Sequence, residues 1–339
     1  MPGSLAFGYL VCQQTSDDSL RASLVDEIAA EAQAAEVAGF HGVFVSEHHQ
    51  RPDNFFPSPI VLASVLARET KRLDIGLTVA LLPLYHPLRL VEDATCVDVV
   101  ANGRLILGLG PGYVPSDLHL YGIDKSEALA RYLEGLEIVH HGWDSQWTHD
   151  GARYRVNISR ITPRPISQPR PRIWIAANTV QGVGRAAQYG DGWVIGARST
   201  LARAAQLSEA YLSNCAQLHK TPQIAVIRDA WVADSNKDAF DEVGVPLLKA
   251  HDEHVSAGFV AGESMAGVDP KYADAETFYK VAADRWLVGD RNLVRQQIGD
   301  WVTRVGASYF VVRFRHPTGP SREAVLAQIG RFGSTFARA

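Results

Sequence analysis

Short apolar runs alternate with longer stretches of helical periodicity along most of the chain. Runs rich in Val, Ile, Leu and aromatic residues predict strands at 5–11, 41–45, 73–81, 104–108, 172–176, 192–195, 223–232 and 308–314. Helical spacing falls between them, at 20–38, 59–70, 87–101, 125–141, 181–189, 200–219, 290–305 and 321–336. Punctuation supports these limits. Gly39 stands where a left-handed C-terminal cap is needed. Pro87 opens a helix and Asn102-Gly103 closes it.

Strands that alternate with helices imply a parallel sheet, because parallel neighbours need a crossover. Eight such units closing on themselves give an α/β fold of the (β/α)8 TIM-barrel type, with its active site at the carboxyl ends of the strands. An open doubly wound sheet is the rival. Two stretches break the rhythm. Residues 142–168 are rich in Trp, Tyr, Arg and Pro and predict a short hairpin. Residues 235–285 are polar and helical with little apolar periodicity. Both are expected as insertions in a single domain spanning 1–339.

Composition narrows the function classes. The 339 residues carry 33 basic and 37 acidic side chains, a net charge of −4. That balance gives no electrostatic case for nucleic acid or an anionic membrane as partner. Cys12, Cys96 and Cys215 are scattered, odd in number and form no CxxC, which suits a reducing cytosol. The start, MPGSLAFGYLVCQQ, lacks a basic region and a cleavage site, and no apolar run is long enough to span a bilayer. A cytoplasmic protein is expected.

The chemistry gathers at strand ends. VFVSEHHQRPDNFFPSP (43–59) is a buried strand that stops at Ser46 and then presents Glu47, His48 and His49. Adjacent strand residues face opposite ways, so one imidazole at most faces the barrel mouth. It would serve as a proton donor or acceptor there. Adjacent histidines cannot easily share an ion and HExxH is absent, so no metal site is expected. LILGLGPGY (105–113) reads as a tight turn after a strand, with glycines that let backbone approach closely. AANTVQGVGRAA (176–187) matches GxGxxA at the start of a helix. No acidic residue ends a following strand, which weakens a NAD-binding Rossmann reading but leaves backbone N–H groups for a phosphate. Tyr85 and His86 follow the third strand, and Trp193 sits in YGDGW; Tyr85, Trp193 and His49 are expected at a substrate pocket, His86 in a rigid loop. HDEH (251–254) reads as a solvated helix face. Arg313, Arg315 and His316 end the last strand, where one could meet an anionic ligand and the others pair with carboxylates. Neither GxSxG nor a P-loop is present.

Taken together, the segments AEVAGFHGVFVSEHH, LDIGLTVALLPLYHPLRLVEDATCVDVVANGRLILGLGPGY, RYLEGLEIV and PRPRIWIAANTVQGVGRAAQYGDGW resemble the bacterial luciferase-like family of flavin-dependent oxidoreductases. The resemblance implies a TIM barrel with an insertion, commonly a homodimer. It implies a monooxygenase that uses reduced FMN, supplied by a separate flavin reductase, and O2 on a small or medium organic substrate. A deazaflavin (coenzyme F420)-dependent hydride-transfer enzyme and a non-catalytic flavin-binding barrel remain as alternatives. By position, His48 matches the family's catalytic imidazole. Thr78 and Val79 match a non-proline cis peptide beside the flavin. Asn178, Thr179 and Gly182 match a phosphate-binding loop that Arg131 would also reach. In one place the chain departs: bacterial luciferase has a phosphate-binding arginine where this chain has Pro111, which offers neither charge nor N–H.

Overall fold

The alternating apolar and amphipathic segments close into a barrel in the computed structural model, which describes residues 5–15, 23–51, 53–256 and 274–337. The first half runs β1 (Ala6–Leu10), α1 (Leu24–Ala38), β2 (Gly42–Val45), α2 (Pro59–Glu69), β3 (Asp74–Leu77), β4 (Ala80–Leu81), α3 (Pro87–Val100) and β5 (Leu105–Gly110). Next come α4 (Pro115–Leu120), α5 (Lys125–His141), β6 (Trp147–Asp150), β7 (Arg155–Ile158), β8 (Arg172–Ala176), α6 (Val180–Tyr189), β9 (Gly192–Ile195) and α7 (Leu201–Gln217). The chain finishes with β10 (Ile224–Ala233), α8 (Asn236–Ser256), α9 (Ala275–Ala282), β11 (Leu287–Asp290), α10 (Arg291–Val305), β12 (Tyr309–Arg313) and α11 (Arg322–Phe332).

The ring runs β1-β2-β3-β5-β8-β9-β10-β12 with every neighbour parallel, and it closes where Ala6 faces Tyr309. The eight barrel strands are the eight read from the apolar runs, and the open-sheet rival is set aside. Inside, Phe44 and Trp174 stack at 5.7 Å and Tyr309 packs edge-on to both. Flanking strands make room for the Phe44 ring with glycine: a Cβ on Gly8 or Gly76 would lie 2.3 or 2.1 Å from it. Outside, the helices bury a continuous apolar layer against the barrel wall. The caps follow the sequence. Gly39 ends α1 at φ 92°, and the Asp290 carboxylate accepts from two N–H groups at the start of α10.

Several details depart from the sequence reading. The helix expected from residue 20 is described from Leu24, and 20–22 lie outside the described residues. The third strand is interrupted by a cis Thr78–Val79 bond, so that it forms β3 and β4. The fourth expected strand runs on to Gly110, so Gly110 joins Gly108 inside β5 rather than lying in a turn after it. Their lack of a side chain is a packing requirement: a Cβ on Gly108 would sit 1.8 Å from the Leu77 carbonyl oxygen, and one on Gly110 2.5 Å from the Val79 side chain. Residues 142–168 do carry an antiparallel hairpin, β6–β7, apart from the barrel. Within 235–285, α8 is less polar than its mean composition suggests, because Ala239, Val243, Leu247 and Leu248 are buried. β11 had no sequence signal. Its four residues pair only with the outer end of β10, where Ala230 faces Leu287.

Candidate functional site

A cavity of about 320 Å³ opens at the carboxyl ends of the strands. The β2 end supplies its first wall. Glu47 turns inward and is buried. A carboxylate taken from water needs donors, and Glu47 collects the Leu81 N–H (2.7 Å) and the Tyr85 hydroxyl (2.9 Å), with His49 Nε2 at 2.9 Å. It thereby ties β2 to β4 and to the loop beyond. Burial, then the Glu47 charge, push the Tyr85 phenol far up, so it stays a donor. His49 is held on its other side by the Tyr121 hydroxyl at 3.1 Å. His49 and Tyr85 are therefore committed to Glu47 and do not line the cavity, against the expectation that both face a substrate. His48 does line it. Its Nδ1 lies 3.8 Å from the buried Asp117 carboxylate, and its ring meets Phe55 and Tyr113 edge-on.

Thr78 and Val79 form the next wall, with the cis bond between them as the resemblance implies. The Thr78 N–H donates to the Val45 carbonyl at 2.7 Å. Gly108 and Gly110 let this segment press against β5, so the wall is fixed from both sides.

Beyond β8, Ala176, Ala177 and Asn178 line the cavity, but Thr179 and Gly182 do not. The Thr179 hydroxyl caps α6 by accepting from the Gly182 N–H at 3.1 Å. Arg203 donates to the Asn178 carbonyl at 3.3 Å and steadies the same turn. Trp193 is wholly buried against Tyr211, and its indole N–H donates to the Ala177 carbonyl at 2.9 Å. It supports a wall residue rather than forming the wall, because its large ring fills the space behind the strand. Arg131 also stands off the cavity. It faces the Tyr154 phenol on the hairpin side, where its charge helps to offset the rise that burial imposes on that phenol.

The sequence reading missed a cation that the fold brings in. Arg198, after β9, lines the cavity with its guanidinium 3.6 Å over the Tyr113 ring. Tyr113 is two residues past Pro111, which also lines the cavity. A positive group thus reaches the neighbourhood where the sequence lacks one, from a different strand end. Only its place just after an apolar run could have flagged it.

β10 and β12 close the ring with a buried charged cluster. Asp229 accepts from Arg313 Nε (2.7 Å) and Nη2 (3.1 Å), and His316 Nε2 lies 3.0 Å from the same carboxylate. Burial opposes ionisation of Asp229, but Arg313 and His316 outweigh it and hold the carboxyl far below its usual range. The His316 imidazole is pushed down by burial and by Arg313, against the pull of Asp229. An acidic residue inside the apolar run IAVIRDAWVA was the available signal. Over the cavity lie Leu247, Ala250 and His251 of α8 with Arg285 and Trp286. His251 packs edge-on to Trp286 at 6.0 Å, so it is not on the solvated face expected for HDEH; the His254 side chain lies outside the described residues. Among the described residues no cluster of metal-binding side chains occurs and no helix is long and apolar enough to cross a membrane.

Comparison with known proteins fits this arrangement. The family of luciferase-like monooxygenases matches residues 5–308. The oxygenase component of the flavin-dependent trigonelline monooxygenase of Acinetobacter baylyi is 28% identical over 67% of this chain and 64% of its own. The matched part spans between about a quarter and two thirds of the length of the curated relatives. Among solved structures, monooxygenase RslO1 from Streptomyces bottropensis superposes with TM-score 0.83 at 22% identity, covering 98% of this chain and 99% of that one. The oxygenating constituent of 3,6-diketocamphane monooxygenase of Pseudomonas putida, in complex with FMN, superposes with TM-score 0.77 at 19% identity over 99% of both chains.

Proposed function

The chain belongs to the luciferase-like monooxygenase family, and we propose that it is an oxygenase that takes reduced FMN from a separate flavin reductase and uses O2 to oxidise an organic substrate. The observation that carries this reading is the cavity at the strand ends, with the His48 imidazole and the Thr78–Val79 segment on its walls. Its 320 Å³ lies at the lower end of the usual range for small-molecule sites, about 300–1,000 Å³. The residues present suit a flavin. Val79, Ala176 and Val194 offer apolar surface to a planar ring. Arg198 and Asn178 offer charge and a polar group to a phosphate.

Bound there, reduced flavin would supply the electrons that activate O2 and carry the oxygen to be transferred. The chain's own part is to bind, orient and exclude water. Glu47 fixes the wall that would face the flavin, through Leu81 and Tyr85. His48 would hold or move a proton there, with the Asp117 carboxylate 3.8 Å from its Nδ1 as a nearby negative charge. Trp286 and α8 cover the mouth. A homodimer would use α2 and α3, where Val61, Val99 and Val100 stand exposed.

The test is anaerobic titration with FMNH2 and, separately, with reduced coenzyme F420, followed by tryptophan fluorescence. Trp286 lines the cavity and should report the bound ring. Tighter binding of FMNH2 supports the oxygenase. Preference for the deazaflavin overturns it in favour of hydride transfer. Binding of FMNH2 without any acceleration of its reaction with O2 leaves a carrier. Arg198→Met is expected to weaken FMNH2 binding about 10–100-fold while changing reduced riboflavin less than about threefold, from loss of a charge-assisted contact of roughly 1.5–3 kcal/mol. An equal loss for both ligands would remove Arg198 from the phosphate.

A further inference from the structure

A second cavity, of about 450 Å³, adjoins the first, and Leu10, Ser46, His48, Tyr113, Arg313 and His316 line both. On the far side it is walled by Cys12, Phe55 and the segment from Arg315 to Thr318. His48 and His316 thus stand on the seam between the two chambers.

We propose that this second chamber takes the substrate as an acidic hydroxyl compound, a phenol or an enol, and that His316 Nδ1 accepts its proton. The inference rests on the reading of the first chamber as the flavin site. The geometry of the Asp229 cluster carries it. The Asp229 carboxylate is ionised and can only accept, so His316 Nε2, 3.0 Å away, must carry the proton between them. Nδ1 is then the ring nitrogen with a lone pair, and none of the described residues pairs with it. An imidazole fixed in one tautomer by a buried carboxylate, with its other nitrogen open on a cavity wall, is built to receive a proton. Proton transfer breaks the substrate O–H bond, leaves the electron pair on oxygen and forms Nδ1–H. Asp229 stabilises the imidazolium, and Arg313 opposes it.

The oxyanion also has a partner. Arg315 lines the same chamber, and its buried Nε has no hydrogen-bond partner. Its guanidinium makes no ion pair among the described residues, and its charge is felt at longer range by Glu31, which is occupied by the Tyr9 hydroxyl at 2.7 Å. The other charges that face the chamber are accounted for. Asp53 accepts from Gln14 at 2.8 Å through Oδ2 while its buried Oδ1 has no partner, so a bound hydroxyl would sit nearer Arg315 than Asp53; Arg51 and Glu253 are exposed, and Glu253 adds a weak upward pull on His316. A phenolate or enolate is electron-rich at carbon, which is what an electrophilic oxygen donor in the adjoining chamber requires. A carboxylate would leave His316 with nothing to accept.

The test uses 4-nitrophenol as a chromophoric probe on the full-length, flavin-free protein, with absorbance followed against pH. The bound probe is expected to ionise at least about one pH unit below the free probe. His316→Gln, which can keep a hydrogen bond to Asp229, should shrink that difference to what the Arg315 charge alone supplies, and His316→Gln combined with Arg315→Met should abolish it. Arg315→Met should weaken binding of the ionised probe about tenfold or more. Absence of binding, or a difference left unchanged by His316→Gln, overturns the proposal, as does benzoate binding more tightly than the probe in both wild type and His316→Gln. FMNH2 titration of Arg315→Met, whose side chain lines only the second chamber, is expected to match wild type. Loss of FMNH2 binding in wild type itself would strike the flavin reading instead, so the two failures are told apart.

Discussion

His48→Ala should lower turnover about 10²–10⁴-fold while FMNH2 affinity changes by less than about threefold. The asymmetry follows from what the side chain touches. His48 lies on the cavity wall, half-exposed, with Asp117 3.8 Å from Nδ1 and aromatic edges from Phe55 and Tyr113 around it. It makes no hydrogen bond that holds the β2 end in place; that work belongs to Glu47 and to Gln13, whose amide nitrogen donates to the Ser46 carbonyl at 2.9 Å. Losing the imidazole removes a proton carrier but leaves the binding wall standing. His48→Gln keeps a hydrogen-bonding group without a titratable one and should recover affinity fully and turnover little. Steady-state oxidation with a coupled reductase gives turnover, and anaerobic titration gives affinity. Turnover within threefold of wild type in His48→Ala would sink the role.

Much of the barrel was legible because its signals are local. Each parallel strand is buried on both faces and reads as a continuous apolar run, and the helices carry their own proline, glycine and cap residues. β11 was missed because four residues that pair with one end of one strand leave no period to read. The site was legible only in outline. The EHH triplet marks a strand end, but nothing local says that Glu47 will claim His49 and Tyr85 and leave His48 on the cavity. That choice depends on a buried carboxylate finding donors from β4 and the loop after it, 34 and 38 residues away. Arg198 illustrates the converse. It reaches the neighbourhood of Pro111 from another strand end, through a ring contact with Tyr113 that no spacing encodes. The GxGxxA match at Gly182 marked the start of α6 correctly, although the cap bond to Thr179 already occupies that N–H.

Asp229→Asn should be the most destabilising of the single changes considered, costing about 3–5 kcal/mol near neutral pH. The carboxylate is buried and compensates a guanidinium on one side and an imidazole on the other. An amide of the same shape cannot do so: its one oxygen can still accept, but its NH2 would face at least one of the donors, and Arg313 would keep a charge with no counter-ion. The pH dependence separates this from loss of packing. In the wild type, the folded Asp229 carboxyl ionises far below the unfolded value of about 3.9. Its stabilisation is therefore fully present above that value and drains away as pH falls below it. His316 adds a loss of the same sign at higher pH. Its folded value is lowered, so as pH drops below about 6.5 the unfolded chain takes up a proton first. Wild-type stability should thus decline in two stages on acidification, and Asp229→Asn should lose the Asp229 share of the decline below about pH 4, keeping that of Glu36, Glu134 and Asp274. Urea unfolding midpoints measured from pH 8 to pH 3 decide it. A variant as stable as wild type at pH 7.5, or one with the same acid limb, would mean that Arg313 and His316 find other partners and that the cluster does not fix the His316 tautomer.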